Sequence, residues 1–444
     1  MKKYGKSLPF LLVMALLLSL AACVQNPDVT TASGGDNVTT GGNVPPTTGI
    51  DSPAATTKPI VLDIDLTDPW TTPDMYYGDV GALTEFGYYD LTGNGLLTFT
   101  DISNGITVIL CHKAGCTHAG DDLEECEAVI PACSILFHSN GYIYFDRLVK
   151  DDPNKVHLFR RKADGTAEEK IAVLGEDYIS NNTSIVIGQS IATDGALYFS
   201  LSAMEDVVQD DGSIAIMERD SLLIRLDLST GKQKEIARFS DVFIQLFGAR
   251  NDALLFYTQD TLPSEEIGKP DYYERTEKLP ARLRVWSESS GGCVTLFEKP
   301  NKECVWIHGL QNDRIYYYDH EGMYAYDVAT GEFQTTELPL DAQIISENLF
   351  LGGGGIIKDR EFARFLDVRT GQYISSAFDD MQISVKNKSD IGCIMKISFI
   401  GTFEEESSTV PVERIIYAYV PFAAMEDGLQ ESDLLVISDE KIDT

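Results

Sequence analysis

The chain has 444 residues, of which 43% are hydrophobic, and a formal net charge of −34. This charge argues against binding to nucleic acid and against direct adhesion to anionic lipid, since both require basic patches. It favours a well-solvated surface or cationic partners.

Residues 1–22 have the pattern of an export signal. Three early lysines precede an apolar stretch at 8–18, which has the length of a signal-peptide core and is too short to span a membrane. The segment ends in Leu20-Ala21-Ala22-Cys23, which resembles the lipobox of bacterial lipoproteins. We therefore expect Cys23 to be lipidated and to anchor the chain to the cell membrane on its extracytoplasmic face. The alternative is an ordinary secretory signal in which Cys23 is incidental.

The next segment, 23–58, begins at the lipidated cysteine and is rich in Thr, Gly, Pro, Asn and Asp. Such a composition cannot bury enough apolar surface to offset the entropy of ordering, so we predict a disordered tether. The remaining residues, 59–444, exceed the usual size of one packed core. Repeat architectures escape that limit, because each unit packs only on its neighbours.

A turn pattern recurs along this region. An apolar pair is followed by Asp or another polar residue, by small polar residues and then by Gly, as in Leu226-Asp227-Leu228-Ser229-Thr230-Gly231. The glycines of the six copies are Gly105, Gly165, Gly231, Gly291, Gly331 and Gly371. Each copy indicates a hairpin in which Gly takes a positive φ and the Asp side chain bonds to nearby backbone.

A second turn precedes most copies and leads into an aromatic strand, as at Asn140-Gly141 and Asn312-Asp313. Four antiparallel strands every 40 or more residues are typical of a propeller blade. We therefore predict an all-β fold, a β-propeller in which seven blades are favoured and six or eight are alternatives. The predicted blades span 84–111, 134–175, 184–239, 242–299, 305–340, 342–378 and 384–425. The structural rival is an array of β-sandwich domains.

Two apolar stretches can close the predicted ring. Residues 433–437 can add a strand to the first, shorter blade, and residues 60–66 can do so from the other end. Either strand removes an exposed sheet edge.

A Cys/His-rich insert at 111–133 departs from the blade pattern. It contains Leu110-Cys111, then Cys116-Thr117-His118, a short acidic loop, and Cys126-Glu127-Ala128. This segment resembles that of a family of bacterial β-propeller lipoproteins, which carry Leu-Cys-x4-Cys-x-His, an acidic loop and Cys-x-Ala after the first blade. The resemblance implies a propeller fold and adds little on chemistry, because the function of the family is unassigned.

Three thiols and one imidazole match the ligand set of a closed, structural zinc site formed by Cys111, Cys116, His118 and Cys126. In an exported protein the same cysteines can instead form disulfides, with Cys133 as a fourth partner. Free thiols are the third possibility. Cys293, Cys304 and Cys393 fall in or beside predicted strands, where we expect small buried residues, and Cys293 and Cys304 can pair across a blade junction.

The sequence favours a non-catalytic, surface-displayed binding module over an enzyme, because it contains no attached catalytic domain and no nucleophile–base constellation. The expected ligand is a glycan, a peptide or an envelope protein, at a position that the sequence does not identify. Trp286, Trp306 and Tyr272-Tyr273 are candidate contacts. The alternative is a carbohydrate-active enzyme, a glycosidase or a lyase, that uses carboxylates in the propeller funnel.

Overall fold

The structure is a computed structural model that describes residues 70–71 and 80–443, except for 132, 179–182, 209–213, 264–265, 267–268, 305, 320, 337, 339–342, 347, 358–359, 380, 390 and 406–407. The predicted signal peptide at 1–22, the expected lipidation site Cys23, the tether at 24–58 and the segment 60–66 all lie outside the described residues.

The fold is a β-propeller of seven blades, and each blade is a four-stranded antiparallel sheet built from four consecutive strands. Blade 1 contains β1 (Gly81–Leu83), β2 (Gly87–Leu91), β3 (Leu97–Asp101) and β4 (Thr107–Ile109). Blade 2 contains β5 (Leu136–Ser139), β6 (Tyr142–Val149), β7 (Asp152–Lys162) and β8 (Glu169–Val173). Blade 3 contains β9 (Thr183–Ala192), β10 (Ala196–Val208), β11 (Ile214–Asp227) and β12 (Gln233–Phe239).

Blade 4 contains β13 (Val242–Arg250), β14 (Ala253–Asp260), β15 (Pro280–Ser287) and β16 (Gly292–Pro300). Blade 5 contains β17 (Trp306–Gln311), β18 (Arg314–Tyr318), β19 (Met323–Asp327) and β20 (Phe333–Thr335). Blade 6 contains β21 (Gln343–Ile344), β22 (Leu349–Ile357), β23 (Arg360–Asp367) and β24 (Gln372–Ile374). Blade 7 contains β25 (Gln382–Lys388), β26 (Gly392–Glu405), β27 (Ser408–Pro421) and β28 (Leu435–Asp443). The prediction of seven blades is confirmed.

Helical structure in the described part of the chain is short. The α-helices are α1 (Tyr272–Glu277) and α2 (Phe422–Glu426), and the 3-10 turns are Gly120–Glu125, Glu176–Tyr178, Asn301–Glu303 and Glu431–Asp433. None of these helices has the length and apolarity needed to cross a membrane.

The blades are held together by apolar side chains from both faces of each sheet. Successive residues of a strand point to opposite faces, so one strand serves two interfaces. On β10, Leu197 and Phe199 pack against blade 2, whereas Ala196 and Tyr198 pack against blade 4. Because both faces are covered, the second strands are nearly continuous runs of apolar and aromatic residues.

The ring closes between blades 7 and 1, where the innermost strands β25 and β1 are in contact. The strand that contains Leu435 and Ile437 is β28, which pairs with β27 and completes blade 7. Of the two ways of closing the ring, the one in which residues 433–437 supply a strand to blade 1 is therefore wrong. Blade 1 has its own fourth strand, β4, which pairs with β3. Side chains, rather than a shared strand, join the two blades in the described structure.

The repeated turns have the conformation that the sequence predicts. All six glycines of the pattern have φ between 64° and 86°. The Asp227 carboxylate accepts hydrogen bonds from the amides of Ser229 and Thr230, and Asp327 and Asp367 accept equivalent bonds. The turns Asn140-Gly141 and Asn312-Asp313 have positive φ at both positions, as expected for tight hairpins.

A short piece of chain ahead of blade 1 pairs with blade 4. Thr71 forms an antiparallel bridge with Ala249 on the innermost strand β13, with N···O distances of 2.9 and 2.8 Å. The Arg250 guanidinium lies 4.5 Å from the centre of the Trp70 ring, a cation–π contact. A Cβ at Gly248 would lie only 3.2 Å from the Trp70 Cβ, so glycine leaves room for this docking. We refer to Trp70 and Thr71, docked on blade 4, as the N-terminal latch.

Replacement of Asp227 by alanine tests the repeated turn. Hydrogen bonds from the Ser229 side chain, and then from Thr230, hold the pKa of Asp227 at about 2. Because this pKa lies below that of the unfolded chain, the stabilisation is complete above about pH 4 and is lost as the pH falls toward 2. We expect Asp227→Ala to lower the free energy of unfolding by about 1 kcal/mol at pH 7, and by much less near pH 2, in urea titrations.

The control is Asp252→Ala, because the Asp252 side chain is 68% exposed. We expect this variant to change stability little at either pH. A loss of equal size in both variants, or a loss for Asp227→Ala that does not depend on pH, contradicts the proposed role of the turn.

Candidate metal centre

The insert between β4 and β5 folds back on itself through three residues in the left-handed region of φ. These are Gly115 at 78°, His118 at 55° and Gly120 at 57°. The 3-10 turn Gly120–Glu125 follows and brings Cys126 back toward Cys111. The acidic loop predicted from the sequence is therefore a compact helical turn.

The structure brings all four predicted ligands together. The Sγ atoms of Cys111, Cys116 and Cys126 and a ring nitrogen of His118 lie within 4.8 Å of one another. Nδ1 of His118 is 3.4 Å from Sγ of Cys126. Around a tetrahedral zinc ion with bonds of about 2.0 to 2.3 Å, neighbouring ligand atoms lie roughly 3.5 to 3.8 Å apart. The cluster is thus close to the geometry of a four-coordinate site and can hold a metal ion.

Backbone amides act on the acidity of two of the thiols. The amides of Lys113 and Glu127 lower the pKa of Cys111. The amide of Ala128 acts in the same direction on the pKa of Cys126. Such amides stabilise negative charge on sulfur, which a coordinating thiolate requires.

The thiols differ in acidity. Burial raises the pKa of Cys126 to about 11. Burial also acts on Cys111, but hydrogen bonds from the two amides and from the neighbouring thiols outweigh it and bring the pKa of Cys111 below its ordinary value. A divalent cation would favour the thiolate form at every sulfur, so metal binding here would release protons.

A carboxylate holds the residue that precedes His118. Both the amide and the hydroxyl of Thr117 donate to Oδ2 of Asp122, at 3.0 and 2.6 Å. These bonds lower the pKa of Asp122 and fix the residue next to His118. On the opposite side, Lys113 forms a 2.6 Å ion pair with Glu125. Sequence reasoning did not identify these supporting residues, and only the run of acidic residues at 121–125 pointed to them.

The insert is attached to blade 1 near the metal cluster. The amide of Leu97 donates to the carbonyl of Ala128, and the amide of Ile130 donates to the carbonyl of Gly95. Cys126 and Ala128 are buried together with Leu96 in one apolar cluster, against which Cys111 and Cys116 pack. This packing explains the Cys-x-Ala motif, because Ala128 is completely buried.

The cysteines outside the cluster are separate thiols. Cys133 packs in a different apolar cluster and donates to the carbonyl of Ile135, at 3.0 Å. Cys293 packs on the side of blade 4 that faces blade 3, whereas Cys304 is buried between blades 4 and 5. The possible Cys293–Cys304 bridge is therefore not formed. Cys393 is completely buried, as expected, and no disulfide joins any of the seven described cysteines.

The other candidate contacts have different environments. Trp286 is 1% exposed and belongs to the core between blades 3 and 4, whereas Tyr273 on α1 is 74% exposed. The side chain of Trp306 lies outside the described part of the structure. The innermost strands β1, β5, β9, β13, β17, β21 and β25 contain no Asp or Glu. These strands therefore provide none of the funnel carboxylates that the enzyme alternative requires.

Comparisons with known proteins show no family for this chain. No protein-family model and no curated protein matches the chain. An oligogalacturonate lyase solved with manganese is 12% identical, with a TM-score of 0.44 over 74% of this chain and 87% of its own. Puromycin hydrolase is 11% identical, with a TM-score of 0.43, and the match covers 82% of this chain and 62% of the hydrolase. TolB from Acinetobacter baumannii is 12% identical, with a TM-score of 0.31, and the match covers 74% of this chain and 76% of TolB. These similarities concern the fold alone.

The role of Asp122 can be tested with its neighbour as control. Asp122→Ala removes the acceptor that holds Thr117, so we expect zinc affinity to fall about tenfold, the usual effect of losing a residue that orients a ligand. Asp121→Ala changes an adjacent exposed carboxylate and should leave the affinity unchanged. Competition titrations of zinc against a chromophoric chelator measure both variants. Equal affinities for the two variants contradict the positioning role.

Proposed function

We propose that the chain is a lipid-anchored β-propeller on the extracytoplasmic face of the cell membrane, and that it acts as a binding module. The insert at 111–133 is stapled by a structural zinc ion bound to Cys111, Cys116, His118 and Cys126. The observation that carries the zinc assignment is the convergence of three sulfur atoms and one ring nitrogen within 4.8 Å. Four protein ligands fill a tetrahedral site, so this metal stabilises structure and has no open position for a substrate.

The proposed binding role is supported by how the described residues are distributed in the fold. Consecutive blade strands run from Gly81 to Asp443, so the described region forms one propeller. A function of this region must come from the surfaces and loops of the ring, where binding sites of rigid scaffolds usually lie. The proposed partners are the membrane, through the lipid on Cys23, and a glycan, a peptide or an envelope protein as ligand. Nucleic acid is not among them, because the net charge is −34.

Metal content and thiol reactivity test the zinc site. In mature protein purified from the native envelope without chelators, we expect stoichiometric zinc and cluster thiols that react only after chelation. Cys126→Ser should lose most of the zinc, because the variant lacks one of four ligands. The control is Cys293→Ser, which changes a thiol outside the cluster and should keep the metal. Metal-free protein whose cysteines react only after treatment with reductant would show that disulfides, not zinc, staple the insert.

The anchor is tested separately. Cys23→Ala removes the residue that would carry the lipid, so we expect the precursor to accumulate uncleaved and to incorporate no labelled fatty acid. The matched variant Gln25→Ala leaves the cysteine in place and should be processed, labelled and recovered with membranes. Two results together would show that the segment is an ordinary secretory signal. The Cys23→Ala variant is still cleaved at the same site and released as a soluble protein, and the wild type incorporates no labelled fatty acid.

A further inference from the structure

Among the described residues, the interface between blades 7 and 1 has the smallest apolar cluster of any blade interface. Thirteen buried apolar side chains form the cluster between blades 2 and 3. Among the described residues, the cluster between blades 7 and 1 has only Leu83, Tyr88, Ile394 and Tyr419 as buried members. Beside this small cluster lies a cavity of 760 Å³, lined by both blades. Its volume is within the range of about 300 to 1,000 Å³ that is usual for small-molecule sites.

Blade 1 gives this cavity a polar wall. The sheet face that points to blade 7 contains Asp90 on β2, Thr98 and Thr100 on β3, and Thr107 on β4. At the same face of blade 3, the strands β10 and β11 carry buried leucine, phenylalanine and isoleucine instead. The row of threonines thus stands where blade 3 has core residues, and it lies beside the cavity. It also gives the wall hydroxyl groups.

These hydroxyls are held in place by the blade itself. The hydroxyls of Thr100 and Thr107 share a 2.8 Å hydrogen bond, and the hydroxyl of Thr98 donates to the carbonyl of Asp90 at 3.2 Å. A hydroxyl has one donor and two acceptor positions, so each threonine keeps capacity for a further bond. The wall is therefore an ordered array of hydrogen-bonding groups.

Blade 7 supplies aromatic and charged groups on the other side. Tyr417 lines the cavity, and the ammonium of Lys386 lies 4.6 Å from the centre of its ring. Ser438 and Glu440 of β28 line the outer part. The walls thus carry two carboxylates, on Asp90 and Glu440, and one ammonium. With both signs of charge present, the lining matches a neutral ligand with many hydroxyls better than it matches an ion.

The metal-stapled insert forms the rim of the same cavity. Ile130 and Pro131, which follow Cys126 by a few residues, line it together with Gly95 of the β2–β3 turn. Leu96 of this turn forms an antiparallel bridge with Val129. The rim is therefore fixed to blade 1 on one side and to the metal cluster on the other.

We propose that the cavity between blades 7 and 1 is the ligand site of the binding module, and that its ligand is a neutral oligosaccharide. Sugar hydroxyls both donate and accept, so they can bond to the carboxylates and threonines of the walls. The apolar faces of pyranose rings fit the aliphatic side chains of Leu91 and Ile437. This inference rests on the proposed function, because it specifies the ligand of that module.

The test uses mature protein and defined probes. Maltotriose, cellotriose, xylotriose, mannotriose and chitotriose are titrated calorimetrically, with trigalacturonate as a charged comparator and trialanine as a peptide. The same neutral glycans are presented immobilised on a surface. We expect at least one neutral trisaccharide to bind and the charged and peptide probes to fail. Binding in solution indicates a free oligosaccharide as ligand, whereas binding to immobilised chains alone indicates adhesion to a polymer; either result supports the saccharide assignment.

Variants connect binding to the cavity. Asp90→Asn keeps the acceptor for the Leu91 amide, and the double variant Thr100→Val with Thr107→Val removes two mutually bonded hydroxyls at nearly constant shape. We expect both to fold with wild-type unfolding midpoints and to bind the responsive saccharide at least tenfold more weakly. Asp252→Asn, an exposed carboxylate on blade 4, is the matched control and should bind normally.

Three outcomes overturn the inference: no binding of any neutral saccharide, preference for trialanine or trigalacturonate, and unchanged binding in folded cavity variants. Zinc is measured on the same samples, so that the two proposals fail independently. If the protein contains zinc but binds no neutral saccharide, the cavity assignment is wrong and the metal site is supported. If the protein binds a saccharide but contains no zinc, the cavity assignment is supported and the metal site is wrong.

Discussion

The structure depends on one constraint: each blade must bury both of its faces, and only other blades can cover them. The strands β10 and β14 are apolar at successive positions because alternate side chains enter different interfaces. A single blade therefore leaves two apolar surfaces exposed to water, and a row of blades leaves one at each end. Closing the row into a ring covers all of them. The turns with left-handed glycines only reverse the chain between strands; burial between blades makes the ring.

The same constraint explains why the interface between blades 7 and 1 is distinct. Here the first and last units of the chain meet, and blade 1 presents threonines and Asp90 instead of leucines. In the part of the chain that the structure describes, side chains join these blades, since β28 completes blade 7 and is not shared. The insert that carries the cysteine cluster follows blade 1 and lies against the same cavity. The cavity between blades 7 and 1 and the insert with the cysteine cluster, which both depart from the repeat, are thus neighbours in the fold.

Sequence patterns predicted the features that depend on local chemistry. The Asp and Gly of the repeated turn specify its conformation by themselves, and the seven blades could be counted from such turns. The residue types of Cys111, Cys116, His118 and Cys126 likewise made a metal cluster one of three alternatives, beside disulfides and free thiols. The partner of β28 was assigned to the wrong blade, because an apolar strand fits any open sheet edge and only the completed fold shows that β4 fills this place in blade 1. The supporting role of Asp122 and the cavity wall also depend on neighbours distant in sequence, which no local pattern encodes.

The N-terminal latch has a mechanical consequence. In a ring of seven, blade 4 lies three blades from blade 1 and three from blade 7, directly opposite their junction. Because Thr71 is paired with β13, tension in the chain ahead of Trp70 reaches the ring first at blade 4. This tension acts on the paired backbone of Thr71 and Ala249 before it reaches Gly81, so the latch bears the force first. Among the described residues, the junction between blades 7 and 1 has the smallest apolar cluster of any blade interface, and it receives such a load only after the latch.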